Sequence, residues 1–86
     1  MKHITNPSFW KSYYQLPISI QNLADKNFAL LKENPWHPSL HLKKVKQYWS
    51  VRISKKYRSL AIEYEKRVIW FWIGSHGDYE KLIRDG

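Results

Sequence analysis

Two arginines and a histidine in the second half of the chain have side chains suited to chemistry on a phosphodiester. Arg52 stands in the stretch YWSVRIS, Arg58 opens YRSLAIEY, and His76 follows VIWFWIGS. The arginine fork can hold two phosphate oxygens, and histidine transfers protons near neutral pH. Such groups suit metal-independent RNA cleavage, in which the 2′-oxygen attacks phosphorus and positive charge stabilises the phosphorane. Spacing alone equally allows solvated arginines and a histidine that hydrogen-bonds a turn.

Other common catalytic arrangements find little support. The absence of cysteine excludes disulfides, thiolate catalysis and Cys-based zinc sites. His37 and His41 are accompanied by no carboxylate and are separated by a proline, so we expect no metal and no cofactor. The three glycines form no phosphate-binding loop. Glu63 and Glu65 lie beside a predicted turn, where ordinary surface charge explains them better than glycoside chemistry does.

Positive charge is concentrated in one part of this chain of 86 residues. The formal net charge is +8, and seven of the fifteen Lys and Arg residues lie between positions 43 and 58, where there is no acid. Tyr and Trp residues are interleaved with them, as is typical of a surface where cations meet phosphates and rings stack on bases. Solubility alone is the simpler alternative. Besides the two arginines, the candidate RNA-binding residues are Lys43, Lys44, Lys46, Lys55 and Lys56.

The first half of the chain predicts two helices. In TNPSFWKSYYQLP, Asn6 can cap a short helix and Pro7 suits its first position. From Pro17 to about Asn34, apolar residues recur at a period close to 3.6, which indicates a second, amphipathic helix. Asn34-Pro35 ends that helix, so the two helices form a hairpin.

After residue 40 the apolar period changes to two, which indicates strands. YWSVRIS and YRSLAIEY alternate, with Leu60, Ile62 and Tyr64 expected on one face, and VIWFWI should lie within the sheet. Short connections between them predict antiparallel pairing. Residues 42–46 and 2–5 are weaker strand candidates. We therefore predict an α+β fold, with an N-terminal helical hairpin packed on one face of a 3–5-stranded antiparallel β-sheet and a concave, basic opposite face.

The segment from Tyr48 to Ile83 carries a series of recognisable motifs. A strand with Trp-Ser-x-Arg is followed by a turn and by an aromatic-Arg pair opening the next strand. A hydrophobic strand then ends in Gly-Ser-His and is followed by a short predicted helical turn. This segment resembles the C-terminal half of the RelE/ParE superfamily of toxins from bacterial type II toxin–antitoxin modules. The resemblance implies that residues 1–86 form a single RelE/ParE-like toxin domain. RNA-cleaving members enter the ribosomal A site and cut the messenger there.

The resemblance also implies roles for individual residues. Arg58 matches the arginine that contacts the scissile phosphate, and Arg52 matches a basic position on the preceding strand. His76 matches the position after the last strand where some members carry a histidine as general acid and others an arginine. Tyr79 lies near the position of an aromatic residue that stacks on or orients the base. Where some relatives carry a general base, this chain offers His41, Lys43, Lys44 and Lys46. His41 is a candidate for that base, and the choice among the four stays open.

Two alternatives and several expected partners accompany this hypothesis. A ParE-like toxin with the same fold would inhibit DNA gyrase without cleaving RNA, and a third reading is an RNA-binding module without catalysis. In either toxin case we expect a cognate antitoxin that forms a hetero-oligomer with the toxin and masks its basic face. For the nuclease, the ribosome and messenger RNA are the further partners. The N-terminus lacks an apolar signal region and no run is long enough to span a bilayer, so we expect a cytoplasmic protein with no membrane partner.

Overall fold

A computed structural model describes residues 2–85 as three helices, one 3₁₀ turn and five strands. In chain order these elements are β1 (Lys2–Thr5), α1 (Pro7–Tyr13), α2 (Ile18–Glu33), the 3₁₀ turn (Pro38–Leu40), β2 (Lys43–Val45), β3 (Tyr48–Ser54), β4 (Tyr57–Tyr64), β5 (Arg67–Ser75) and α3 (His76–Asp85). No helix in this part of the chain is both long enough and apolar enough to cross a membrane.

The predicted helical hairpin is present, and local sequence signals set its limits. The Asn6 side chain accepts a hydrogen bond from the Phe9 backbone N–H at 3.2 Å, with Pro7 in the first turn of α1. Pro17 precedes α2, and this helix ends at Glu33, two residues before Pro35. Asn27 on α2 donates to the Ile53 carbonyl at 2.8 Å, which fixes the helix against β3.

The predicted α+β class is confirmed, and the sheet is mixed in one place. Its order is β1-β5-β4-β3-β2, and the β2–β3, β3–β4 and β4–β5 pairs are antiparallel, as expected from the short turns. β1 instead runs parallel to β5. A parallel neighbour requires a long connection, which the intervening helices and strands supply, and no turn signal in the sequence reveals this pairing.

The hydrophobic core lies between the hairpin and one face of the sheet. Trp70 of β5 is fully buried there and meets the Phe28 ring edge-on at a centroid distance of 5.5 Å. Phe9, Leu31 and Val51 belong to the same cluster. The VIWFWI stretch therefore forms an interior strand that anchors the fold, while its C-terminal end leads directly into α3.

β5 contains a β-bulge opposite Leu60 and Ala61 of β4. Leu60 pairs with Trp72 and Ala61 with Trp70, so Phe71 is an extra residue on β5. On β4, Leu60 is fully buried, whereas Ile62 is 40% and Tyr64 59% exposed. Leu60, Ile62 and Tyr64 alternate along β4 and share one face, as predicted, but only Leu60 is buried.

α3 covers part of that opposite face, which is therefore less open than the predicted concave basic surface. The helix packs against β4 and β5, and Tyr79 on it is buried. At its C-terminal end, Lys46 Nζ donates to the Ile83 carbonyl at 2.6 Å. The resemblance predicted only a short helical turn here. Tyr79, Leu82 and Ile83 stand at the i, i+3 and i+4 spacing of an amphipathic helix, so the pattern of a full helix was present in the sequence.

Candidate nucleic-acid interface

Two arginines face each other across neighbouring strands. Arg52 of β3 is the direct partner of Arg58 on β4. Arg52 alternates with the core residues Val51 and Ile53, so the pair points away from the helical hairpin. Among residues 2–85, no carboxylate lies within 4.0 Å of either guanidinium. Like charges directly opposite each other are unfavourable in a sheet, so this pair is a site where an anion would relieve repulsion.

Backbone contacts hold the Arg58 side chain in place. Its Nη1 donates to the carbonyl of Ser54 at 2.5 Å and to that of Tyr57 at 3.0 Å. Burial lowers the pKa of Arg58, the charge of Arg52 lowers it further, and Tyr79 acts in the opposite direction. An arginine nevertheless stays charged at neutral pH. Because these bonds use Nη1, the Nε–Nη2 edge of the guanidinium remains for a phosphate.

His76 begins α3 at the same end of the sheet. Its backbone N–H donates to the Lys56 carbonyl at 2.7 Å, which ties the start of the helix to the β3–β4 turn. Its Nδ1 lies 3.1 Å from Glu80 Oε1, one helical turn away, and its side chain is 42% exposed. An Nδ1–H held by Glu80 leaves Nε2 as the nitrogen that faces a ligand.

The strand register brings these groups to one end of the sheet. Arg58 pairs with Gly74 and Tyr57 with Ser75, so His76 lies just beyond the last rung of the β4–β5 ladder. Tyr79 lies beside His76, with the two ring centroids 5.7 Å apart, and it opposes the lowering of the Arg58 pKa. The residue is only 8% exposed. We call Arg52, Arg58, His76 and Tyr79 the arginine–histidine cluster.

Three of the predicted RNA-binding lysines accompany this cluster. Lys55 and Lys56 form the exposed turn between β3 and β4, beside the start of α3. Lys43 pairs with Ser50, two residues before Arg52, and therefore shares the face of the arginines. These side chains extend the positive surface around the cluster.

The other two lysines lie elsewhere. Lys44 pairs with Trp49 on the helical face, where its Nζ is 5.3 Å from the indole ring and 3.8 Å from Glu63 Oε1. Lys46 is at the opposite end of β3 and holds the end of α3 through Ile83. Neither lysine is brought to the cluster, because a strand alternates its faces and β3 separates its two turns by about 20 Å.

His41, the candidate general base, lies at the edge of this region. It follows the 3₁₀ turn in a left-handed conformation, with φ of 48°, and is exposed. His41 precedes Lys43 by two residues, and Lys43 pairs with Ser50 in the β2–β3 ladder. His41 therefore lies at the end of that ladder nearest Arg52. No residue pattern in the sequence indicates the left-handed residue that ends this turn.

Sequence reasoning missed Glu80 as a partner of His76. The spacing of four residues was visible, but it becomes a contact only when both residues belong to one helix. As to metals, the described residues include no group of three or more His, Asp or Glu side chains placed to hold an ion.

A sheet with a helical hairpin on one face and a positively charged cluster at one end defines a small, basic α+β protein. A family model described as the ParE-like toxin domain matches residues 12–81. The chain therefore belongs to the ParE-like toxin family. The resemblance seen in the sequence is thus confirmed. No curated protein is significantly similar to the chain in sequence.

Solved structures of toxins share the fold. The RelB–RelE antitoxin–toxin complex from Methanococcus jannaschii matches with a TM-score of 0.70 at 16% identity, over 92% of this chain and 96% of that chain. The YoeB/ParE toxin from Agrobacterium tumefaciens matches with a TM-score of 0.65 at 19% identity, over 88% and 99%. YafQ from E. coli matches with a TM-score of 0.67 at 14% identity, over 92% and 98%. At these identities the similarity concerns the fold.

Proposed function

We propose that this toxin is a ribosome-dependent endoribonuclease that cuts messenger RNA and thereby inhibits translation. The observation that supports it most is the Arg52–Arg58 pair, which has no acidic partner among the described residues and lies at the same end of the sheet as His76. A pair of unneutralised arginines is costly to keep in a sheet. Binding of a phosphodiester at this place offsets that cost.

The proposed reaction transfers the phosphoryl group within the RNA. The 2′-oxygen of the upstream nucleotide loses its proton to a general base and bonds to phosphorus, while the bond from phosphorus to the 5′-oxygen breaks. His76 Nε2–H gives its proton to that leaving oxygen, and Arg58 with Arg52 stabilises the added negative charge. The products are a 2′,3′-cyclic phosphate and a 5′-hydroxyl. His41 is the candidate base. Lys43, which lies on the same face of the sheet as the two arginines, is the alternative.

Exposed positive charge supports the expected partners. The lysines of the β3–β4 turn, Lys55 and Lys56, would contact RNA backbone. Tyr79 is only 8% exposed, so it would meet a base beside His76 only through its small exposed part. A cognate antitoxin, as in the RelB–RelE complexes that share the fold, would bind this chain in a hetero-oligomer. The chain would act in the cytoplasm, where ribosomes and messenger RNA are found.

The test is to induce the toxin in cells and map the 5′ ends of messenger RNA. Wild-type protein should arrest growth and produce cuts within translated codons. Arg58→Ala and His76→Gln should remove both effects, whereas the control variants Arg84→Ala and His37→Gln, outside the cluster, should keep them. Growth arrest that survives both cluster variants would contradict the proposal. Intact messenger with a DNA-damage response would instead favour gyrase inhibition, and RNA binding without growth arrest would favour a non-catalytic module.

A further inference from the structure

A small cavity of about 130 Å³ lies beside the helical hairpin, between β1, α1 and α2. Its walls include Ile4, Phe9, Trp10, Tyr13 and Phe28. Protein interiors hold few voids larger than a water molecule, so a space among large aromatic side chains loses packing contacts that an occupant would restore. A cavity of about 150 Å³ holds one benzene molecule, so this cavity has the size of a single six-membered ring.

Hydrogen bonds hold two of the indole rings around the cavity in place. The Trp10 indole donates to Thr5 Oγ1 at 3.1 Å, and the Trp70 indole donates to His3 Nδ1 at 3.1 Å. Phe9 meets Trp10 edge-on, at an interplanar angle of 87°. Because these walls are already fixed, a ligand has little to reorganise when it binds. A flat apolar ring packs favourably against the edges and faces of such side chains.

One end of the cavity, near the C-terminal end of α2, carries positive charge. Lys32 lines this end, and within residues 2–85 no carboxylate lies within 4.0 Å of its ammonium group. Burial lowers the pKa of His3, and the charge of Lys32 lowers it further. The neutral His3 ring accepts from Trp70 through Nδ1 and therefore carries its hydrogen on Nε2. An ammonium group and an N–H donor together suit a carboxylate.

The other end of the cavity provides a hydrogen-bond acceptor. Asp25 and Lys32 both line the cavity and both belong to α2, and their separation of seven residues puts them on the same side of the helix, about 10 Å apart along its axis. Asp25 Oδ1 accepts from the Tyr13 hydroxyl at 2.7 Å, which leaves the second carboxylate oxygen to accept from a ligand. An amino or hydroxyl group fits this end.

We propose that this cavity binds a small aromatic carboxylate. The ring lies against Phe9 and Phe28, and its carboxylate contacts Lys32 and the Nε2–H of His3. A donor on the opposite side of the ring, as in 4-aminobenzoate, reaches Asp25.

The cavity is separate from the arginine–histidine cluster. His3 pairs with Val68 near the start of β5, whereas His76 follows the end of that strand. Six residues separate Trp70 from His76, which corresponds to about 20 Å of extended chain. The cavity also lies beside the helical hairpin, while the two arginines point away from it. Binding of the carboxylate therefore does not depend on the proposed function.

The first experiment titrates the full chain with four probes and follows the indole N–H signals by NMR. Benzoate and 4-aminobenzoate carry both ring and carboxylate, acetate lacks the ring, and benzylamine carries the opposite charge. We expect both benzoates to bind with a Kd of about 1 mM or lower and to shift the signals of Trp10 and Trp70. Acetate and benzylamine should bind at least about tenfold more weakly.

Three results of this titration would overturn the inference. These are a Kd for the benzoates clearly above about 1 mM, equal binding of acetate or benzylamine, and shifts confined to the arginine–histidine cluster. The last result would mean that the benzoates act only as anions at the basic end of the sheet.

The second experiment tests the polar contacts with exposed, matched variants on α2. Lys32→Gln should weaken benzoate binding about tenfold, whereas the control Lys26→Gln, on another side of the helix, should bind as wild type does. Asp25→Asn keeps an oxygen for Tyr13 but replaces the free acceptor by an N–H group, so it should remove the preference of wild type for 4-aminobenzoate over benzoate. The control Glu33→Gln should keep that preference.

An unchanged affinity of Lys32→Gln for benzoate, or an equal loss in Lys26→Gln, would contradict the assignment. So would a preference for 4-aminobenzoate that wild type lacks or that Asp25→Asn retains.

Discussion

Replacing Arg52 with glutamine should stabilise the fold while weakening its interaction with RNA. The substitution removes one of two like charges that face each other across β3 and β4. It keeps the hydrogen bond from Asn27 to the residue 52 carbonyl, because that contact uses the backbone. An unfavourable cross-strand pair costs about 0.2–1 kcal/mol. For a domain of this size, such a gain corresponds to a rise in Tm of about 1–8 °C.

The assay is thermal unfolding at low salt and at about 1 M salt, where charges separated by more than about 3 Å are screened. The rise in Tm should appear at low salt and largely vanish at high salt. Arg84→Gln is the matched control, since Arg84 is exposed and lies 3.8 Å from Asp85, so it should give no rise. A lower Tm for Arg52→Gln, or a rise that high salt does not reduce, would refute the account of the arginine pair.

Two further predictions concern partly buried polar contacts, one made by His3 and one by Tyr13. Burial lowers the pKa of His3, whose Nδ1 accepts a hydrogen bond from the Trp70 indole at 3.1 Å. The unfolded chain therefore binds the His3 proton more readily than the folded state does, so this contribution to stability is present above the unfolded pKa of 6.5 and is lost as the pH falls through the lower folded-state pKa. His3→Gln should reduce the fall in the free energy of unfolding as the pH drops below 6.5, measured by denaturant titration. The Tyr13 hydroxyl donates to Asp25 at 2.7 Å, which raises the pKa of Tyr13 to about 12. Asp25→Asn should return that value toward 10 in an ultraviolet titration, and an unchanged curve would contradict the contact.

Much of the fold could be predicted because its signals are local. Asn6 and Pro7 mark the start of α1, Pro35 follows the end of α2, and the alternation around Arg52 and Arg58 places both on the polar side of strands. Short turns then imply that these strands are neighbours. Once these two strands are neighbours joined by a short turn, Arg52 and Arg58 lie opposite each other. The position of the arginine pair could therefore be predicted from the sequence.

Features that depend on distant contacts could not be predicted. The parallel β1–β5 pair and the bulge at Phe71 arise where segments far apart in sequence meet. The lysines were grouped because they lie close together in the sequence. Lys44 nevertheless points to the helical face of the sheet, and Lys46 lies at the other end of β3, so neither is near the cluster. The contact between His76 and Glu80 likewise required a full helix in place of a turn.

The most direct test of the central claim is the end chemistry of RNA cut by purified toxin on ribosomes that hold a defined messenger. Attack by the 2′-oxygen with proton donation from His76 predicts an upstream fragment ending in a 2′,3′-cyclic phosphate and a downstream fragment beginning with a 5′-hydroxyl. His76→Gln should slow the appearance of both by about 100-fold or more, as is typical of losing a general acid, while the control His37→Gln cuts normally. Fragments with 5′-phosphates, or equal rates for wild type and His76→Gln, would contradict the assignment of this histidine and this reaction.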